Sequence, residues 1–203
     1  LLTNNGIWVG RNRDVGVIRP EDAINWGLSG PNLRSTGVAY DVRKDNPYYD
    51  YDTYDFDVPV GEHGDNYDRY LVRMEEMRQS LRILQQALDR LPGGPINVDD
   101  PRVILPGKGD AMQDMESMIH HFKIVMEGVH APVGESYFVV EGSKGELGMY
   151  VVSDGGSKPV RWRVRGPSFI NISALPKLVE GHLVADVIAT NASLDIVLGE
   201  IDR

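Results

Sequence analysis

The first group in this sequence with chemical potential is a lysine held in a tight turn. Gly142-Ser143-Lys144-Gly145 separates two runs rich in Val and Tyr, and Glu141 and Glu146 flank the lysine. Read by spacing alone, this is a hairpin with a lysine at its surface. Asp195 is a lone carboxylate in Ser193-Leu194-Asp195-Ile196-Val197-Leu198, which by the same reading is a cap or an exposed acid. Arg161, Arg163 and Arg165 alternate with Trp162 and Val164, so a strand would set three guanidinium groups on one face. Such a face is either solvated and ion-paired or a docking surface for carboxylates. Gly107-Lys108-Gly109-Asp110 follows Val103-Ile104-Leu105 in the outline of a dinucleotide fingerprint. Met112 takes the place of its third glycine and Pro106 sits in the turn, so it reads as a turn only. His120 and His121 are adjacent and would point about 100° apart on a helix. Glu116 shares a face with His120, but two ligands do not make a metal site.

The elements that must position these groups follow from periodicity. Pro20, Glu21 and Asp22 suit the first turn of a short helix that Gly27 can close. A Gly-, Pro- and Asn-rich loop follows, then an aromatic and acidic stretch over 46–57 that carries too many aromatics for a disordered segment. From about Asp65 to Leu91, Tyr70, Met74, Met77, Leu81, Leu84, Leu88 and Leu91 recur at steps of four and three. That pattern predicts one long helix with an apolar face, ended by Pro92-Gly93-Gly94-Pro95. A second helix is expected from about Ala111 to Met126, capped by Asp110 with Gln113 as its box partner. Its apolar face is Met115, Met118, Ile119, Phe122, Val125 and Met126. Both stripes read as core, and the two helices as a side-by-side pair. Ser136–Glu141, Leu147–Ser153 and Val160–Arg165 read as three strands of an antiparallel meander.

The expected class is therefore α+β, long amphipathic helices packed together plus a small antiparallel meander. Residues 1–64 form an irregular segment with a short helix, 65–130 the helical pair, 131–172 the meander, and 173–203 a helical tail whose last residues, from Leu198, carry no helical pattern. The chain has 203 residues, 41% of them hydrophobic, enough for one sizeable domain or two small ones. A net charge of −9 argues against a nucleic-acid partner and against a polybasic membrane patch. With no cysteine, the chain itself offers neither disulfides nor thiolate ligands for a metal or iron–sulfur cluster. No apolar run approaches the roughly 20 residues of a membrane span. Leu1-Leu2-Thr3-Asn4 is neither a signal peptide nor an initiator sequence, so a piece of a longer protein is expected.

Several strings, taken together and in order, give more than any one of them. They are Gly16-Val17-Ile18 with Glu21-Asp22-Ala23; Gly30-Pro31-Asn32-Leu33-Arg34; Val58-Pro59-Val60-Gly61-Glu62-His63-Gly64-Asp65; Tyr67-Asp68-Arg69-Tyr70 with Arg73 and Glu75-Glu76-Met77-Arg78-Gln79-Ser80; Lys144-Gly145-Glu146; Val152-Ser153-Asp154-Gly155; Pro167-Ser168-Phe169; and Gly199-Glu200-Ile201-Asp202-Arg203. The sequence thereby resembles the C-terminal half of the hydrogenase-like large subunit of respiratory NADH:quinone oxidoreductase (complex I). The resemblance implies the fold of the nickel–iron hydrogenase large subunit, truncated. Hydrogenases end in Asp-Pro-Cys-x-x-Cys; here Asp195 matches the Asp, while Val197 and Glu200 stand at the two cysteines. Neither is a soft ligand, so the implied site has lost its metal. The hydrogenase string Glu-x-x-Arg-Gly matches Glu141, Lys144 and Gly145. Ser143 departs from the family, where proline is common, and the family's quinone-bonding His and Tyr fall upstream of Leu1.

By this resemblance Asp195, Val197, Leu198, Lys144, Gly145 and Glu141 line a quinone cavity. Arg203, Arg161, Arg163 and Arg165 are expected at subunit interfaces. The chain is expected to hold no metal, cofactor or redox centre of its own. Quinone is the substrate, while NADH, FMN and the iron–sulfur clusters belong to other subunits. Its main partner is the cluster-bearing subunit beside the quinone site. Membrane association comes only through the complex, in the peripheral arm on the cytoplasmic face of the bacterial inner membrane. The alternative is a non-catalytic scaffold in a related energy-converting complex driven by ferredoxin or another donor. An active nickel–iron hydrogenase needs four cysteines and is set aside.

Overall fold

The computed structural model describes residues 2–202. In chain order these form α1 (Gly6–Asn12), α2 (Pro20–Asn25), α3 (Pro31–Arg34), α4 (Val42–Asp45), a 3₁₀ turn (Tyr51–Thr53) and the long α5 (Asn66–Asp89). After them come α6 (Asp110–Gln113), α7 (Met115–Met126), β1 (Gly134–Gly142), β2 (Gly145–Ser153) and β3 (Arg161–Arg165). The chain closes with α8 (Pro167–Ser173), α9 (Leu175–Val179), α10 (Val184–Leu194) and α11 (Leu198–Ile201). The strands pair in the order β1-β2-β3, so the meander forms as expected and the class is α+β.

Local chemistry explains the boundaries. Pro20 opens α2 with Glu21 and Asp22 in its first turn, and Gly27 closes it at φ 72° while Leu28 N–H donates back to Ala23 O at 3.0 Å. The Asp65 carboxylate caps α5 by accepting Asp68 N–H at 2.7 Å. The aromatic and acidic stretch is ordered, as expected, by its ties to α5. Arg82 pairs with Asp55 and Asp57, and Gln86 accepts from Asp55 N–H at 2.9 Å.

Several elements differ from the sequence expectation: the described residues of 1–64 hold four short helices rather than one, and the meander expected to reach 172 ends at Arg165, since Pro167 opens α8. The helix foreseen from Ala111 is broken at Asp114, which is extended (φ −112°, ψ 127°) and caps α7 by accepting Ser117 N–H at 2.8 Å. An Asp side chain competes with the helical ladder for backbone N–H groups, so the cap is Asp114 rather than Asp110, and Gln113 ends the single turn of α6. The tail from Leu198 is a helical turn, α11, too short for any period to reveal it. Glu200 fixes it by accepting Ser168 N–H at 2.9 Å.

The chain divides into two units. The first comprises Leu1–Arg90, Phe138–Gly148 and Val164–Arg203, and holds the core of Ile18, Ala23, Leu28, Leu33, Ala174, Leu178 and Leu194. The second comprises Leu91–Tyr137 and Met149–Arg163, with no buried residue among those described. Helices α5 and α7, expected as a pair, fall in different units. Their apolar stripes are not core within this chain. Met77, Leu81, Leu84 and Leu88 are 54–69% exposed, and Met115, Met118, Ile119, Phe122, Val125 and Met126 are exposed as well. The face of α5 that is buried is instead largely polar: Asn66, Tyr67, Asp68 and Arg69, with Val72 and Ile83.

One close approach locks the β1–β2 turn into the first unit. Gly30 (φ 64°) faces Gly145 (φ 131°) with no room for a side chain on either. A Cβ on Gly145 would lie 2.9 Å from the Ser29 carbonyl carbon, and one on Gly30 would lie 2.7 Å from the Gly145 nitrogen. Both glycines also occupy the left-handed region that favours glycine.

Two outcomes follow. Gly145→Ala should lower stability by about 2 kcal/mol or more, because it adds backbone strain to an unyielding contact; an unchanged urea midpoint would refute the contact. Leu81→Glu with Leu84→Glu should leave stability within about 0.5 kcal/mol per site, as exposed positions do. The same pair should reduce self-association of the 203-residue chain in sedimentation velocity, since exposed apolar stripes drive it. Undiminished association would show that this stripe is not the adhesive surface.

Candidate functional site

Lys144 and Asp195 lie 51 residues apart in sequence and meet as an ion pair, the Lys144 ammonium donating to Asp195 Oδ2. Each is held by its backbone. On the lysine side, Asn171 Nδ2 donates to Lys144 O at 3.0 Å, and Glu146 N–H donates to Ser29 Oγ at 3.1 Å. Arg165 donates to Glu146 O at 2.6 Å and to Gly27 O at 3.1 Å. The Tyr40 hydroxyl donates to Glu146 Oε2 at 2.7 Å; burial, with that carboxylate next, pushes the phenol well above its ordinary range.

On the aspartate side, α10 ends in Asp195 itself, a left-handed residue at φ 53° and ψ 57°. The carbonyls before it would otherwise be orphaned at the negative end of the helix. Arg73 takes Ser193 O at 2.6 Å and Leu194 O at 3.2 Å, and Asn32 Nδ2 takes Leu194 O at 3.2 Å. Arg73 Nε also stands 3.6 Å from Asp195 Oδ2. The carboxylate is thus set between two cations, with 43% of its side chain exposed against 18% for Lys144 and for Arg73. Burial first, then nearby Arg34, lowers the Arg73 pKa, against the pull of Asp195 and Glu76.

One turn earlier on α5, Arg69 is fully buried and, among the described residues, bonded only to neutral acceptors. These are Ser193 Oγ at 2.9 Å, Gly64 O at 2.9 Å, Gly16 O at 2.7 Å and Asn66 Oδ1 at 2.6 Å. Burial, and then Arg73, pull it down to about 9, which still leaves it charged near neutrality.

The remaining expected residues are placed as follows. Gly145 adjoins the pair through the turn. Val197 and Leu198 follow Asp195 in the chain; Val197 is 40% exposed with its N–H on Ser168 Oγ at 3.1 Å, and Leu198 is exposed. Glu141 is not beside Lys144 but in a buried cluster around Arg34, which lies 2.9 Å from Glu141, 2.7 Å from Glu76 and 3.7 Å from Asp41. Burial raises the pKa of both Glu76 and Glu141, with Arg34 pulling each back. Burial pulls Arg34 down, but Glu76, Glu141 and Asp41 outweigh it and leave it raised. The three alternating arginines are not equivalent. Arg161 and Arg163 are exposed in the second unit, whereas the Arg165 guanidinium is occupied by backbone carbonyls of the first. Arg203 lies outside the described residues.

A groove of about 660 Å³ opens beside the pair on the first unit. Trp8, Tyr70, Met74, Met77 and Ile188 make it apolar, and Arg73, Ser193 and Asp195 also line it; Lys144 and Val197 do not. Among the described residues no group of three or more His, Asp or Glu could hold a metal, and no helix is long and apolar enough to cross a membrane.

Sequence reasoning did not single out Asn32, Arg34, Arg69, Arg73 or Glu76 as site residues. The one available signal was the 69, 73, 76 spacing, which puts two cations and an acid on one helical face.

The comparisons with known proteins agree with one another. The whole chain, residues 1–203, matches the family described as the respiratory-chain NADH dehydrogenase 49 kDa subunit. It is 57% identical over 203 residues to the NADH-quinone oxidoreductase subunit lettered D of Methylacidiphilum infernorum, all of this chain and 49% of that protein. Identity is 52% with the subunit of the same name from Ehrlichia canis, covering 52% of it, and 54% with that from Myxococcus xanthus, covering 49%. The chain spans about half the length of the curated relatives it matches. A match over every residue, with identities above one half, makes this chain a member of the family of the 49 kDa subunit of respiratory-chain NADH dehydrogenase.

Proposed function

We propose that this chain is part of the quinone-reducing, hydrogenase-like subunit of a complex I, and that Asp195, Lys144 and Val197 border its quinone cavity. The observation that carries the reading is the Lys144–Asp195 ion pair, which joins the β1–β2 turn to the chain's end. These are the two strings that the hydrogenase resemblance had separately marked as bordering one former metal chamber. In this reading the subunit has the hydrogenase large-subunit fold, of which this chain is one part. NADH, FMN and the iron–sulfur clusters reside on other subunits. The last cluster lies in the subunit beside this one, and the assembly forms the peripheral arm on the cytoplasmic face of the inner membrane.

The chemistry assigned to these residues is electrostatic. Reducing a quinone to the quinol takes two electrons and two protons, and electron density builds on the ring oxygens as the electrons arrive. A lysine ammonium has three donor protons, and Asp195 accepts one. The others have no partner among the described residues and can meet an oxygen that grows more negative, the interaction that strengthens during reaction. Before the oxygen engages it, Asp195 holds the ammonium in place and balances its charge. Val197 and Leu198 offer apolar contact to a ring or tail. Glu141 has a supporting role through Arg34. Arg161 and Arg163, exposed on β3, are assigned to contacts with neighbouring subunits, as is Arg203.

Asp195→Asn or Val197→Met, placed in the intact complex, should raise the KM for a short-tailed quinone or weaken a quinone-site inhibitor, by about tenfold for a displaced contact. NADH oxidation by ferricyanide should be unaffected. Wild-type quinone kinetics in both variants would remove these residues from the site.

A further inference from the structure

The Lys144–Asp195 pair has a second cation at its back, and its geometry is unusual. Arg73 spends its two terminal nitrogens on Ser193 O at 2.6 Å, Leu194 O at 3.2 Å, Asn32 Oδ1 at 3.1 Å and Arg69 O at 3.3 Å. Its Nε–H, although buried, has no hydrogen-bond acceptor among the described residues. The carboxylate oxygen facing it is Asp195 Oδ2 at 3.6 Å, just beyond hydrogen-bond distance. A buried donor that has lost water and gained no acceptor is uncompensated, so it favours any movement that satisfies it.

We propose that Arg73 is the positioning residue of this site: it fixes the end of α10 through the Ser193 and Leu194 carbonyls, and its idle Nε–H is the alternative seat for the Asp195 carboxylate whenever Lys144 turns to another oxygen. The inference rests on the quinone reading above. It adds a defined partner exchange to that reading. In one state Asp195 pairs with Lys144. In the other, Lys144 engages the electron-rich oxygen of the substrate and Asp195 moves to Arg73, so that neither charge is left alone. Lysine is a poor substitute here, because its three donors radiate from one nitrogen, whereas the guanidinium spreads its donors over three nitrogens in a fixed plane. The device also touches the buried carboxylates. Glu76, one turn further along α5, lies close enough for its charge to act on Arg73 and is itself paired with Arg34 at 2.7 Å. The exchange therefore takes place near a second group of paired charges, Arg34 with Glu76 and Glu141.

The test is a double-mutant cycle in the intact complex, read as quinone KM and kcat for a short-tailed quinone, with NADH–ferricyanide activity as the measure of assembly. Asp195→Asn and Arg73→Lys should each raise KM about tenfold with a smaller change in kcat. If Arg73 acts through Asp195, the double variant is no worse than Asp195→Asn alone. Effects that multiply, toward about a hundredfold, would make Arg73 an independent structural contact and overturn the proposal. If Asp195→Asn is silent while the complex assembles, the quinone reading fails, and this inference with it. If Asp195→Asn acts and Arg73→Lys is silent or multiplicative, only this inference fails. A second measurement leaves Arg73 in place. In a structure of the Lys144→Gln complex, the Asp195 carboxylate should sit within about 3.0 Å of Arg73 Nε. A carboxylate turned to solvent there would sink the exchange even if an Arg73 variant failed to assemble.

Discussion

Everything near the candidate site depends on how the carboxyl end of α10 is held. A helix ends with carbonyls that have lost their partners and a partial negative charge. Here that end is taken by guanidinium groups from α5: Arg73 on the carbonyls of Ser193 and Leu194, Arg69 on the hydroxyl of Ser193. Burying a cation costs several kcal/mol after relaxation. Hydrogen bonds to charged groups return about 1.5–3 kcal/mol each. Arg69 makes four such bonds and Arg73 four, enough in number to offset burial without a carboxylate in direct contact with Arg69. The consequence is positional. The helix stops where the arginines sit, Asp195 takes the left-handed conformation, and its carboxylate faces the lysine of a turn 51 residues earlier.

Both halves of the pair are tied to one segment of five residues. Gly30 meets Gly145 backbone to backbone, Asn32 donates to Leu194 O, and Arg34 gathers Glu141 and Glu76. Alternate residues of one short stretch thus touch the lysine's turn, the aspartate's helix and the acids of both β1 and α5. All of Gly30 to Arg34 is buried, which four residues of helix could not achieve by apolar packing alone. Polar and ionic bonds do the work that a larger core would do elsewhere, and the buried acids explain why Glu141 is in the turn's sequence string without being beside Lys144.

The legible part of this architecture was the part written in local pattern. Pro20 and Gly27 bound α2, Asp65 and the Pro92-Gly93-Gly94-Pro95 run bracket α5, and two glycine-rich turns divide three strands, so elements and class could be read directly. The pair itself could not. Spacing gives a surface lysine and a lone acid, and no local rule joins residues 51 apart; only the likeness of two separate strings to one family put them at one chamber. Arg69 and Arg73 escaped for a different reason. Charged residues on a helix normally mark its wet side, yet on the first turns of α5 they mark the buried side. The converse error followed: Met77, Leu81, Leu84 and Leu88 have the periodicity of a core face and stand open to solvent.

That inversion bears on the site as well as on the fold. A sequence stripe records what a face is built to meet, and this chain spans about half the length of its relatives. The open stripe begins inside the apolar groove, at Met74 and Met77, and the same groove is lined by Arg73 and Asp195. Any surface that covers the stripe at that end also dries the carboxylate. Two unit charges at 4 Å attract by about 1 kcal/mol in bulk water and by about 4 kcal/mol at the effective dielectric near a protein surface. An Asp195 shared between two cations is a weak preference while it is wet, and becomes a firm one as water leaves. The exposure of Asp195 and the openness of the stripe thus meet in one groove: the charges are already in register, and their attraction strengthens with each water removed from beside them.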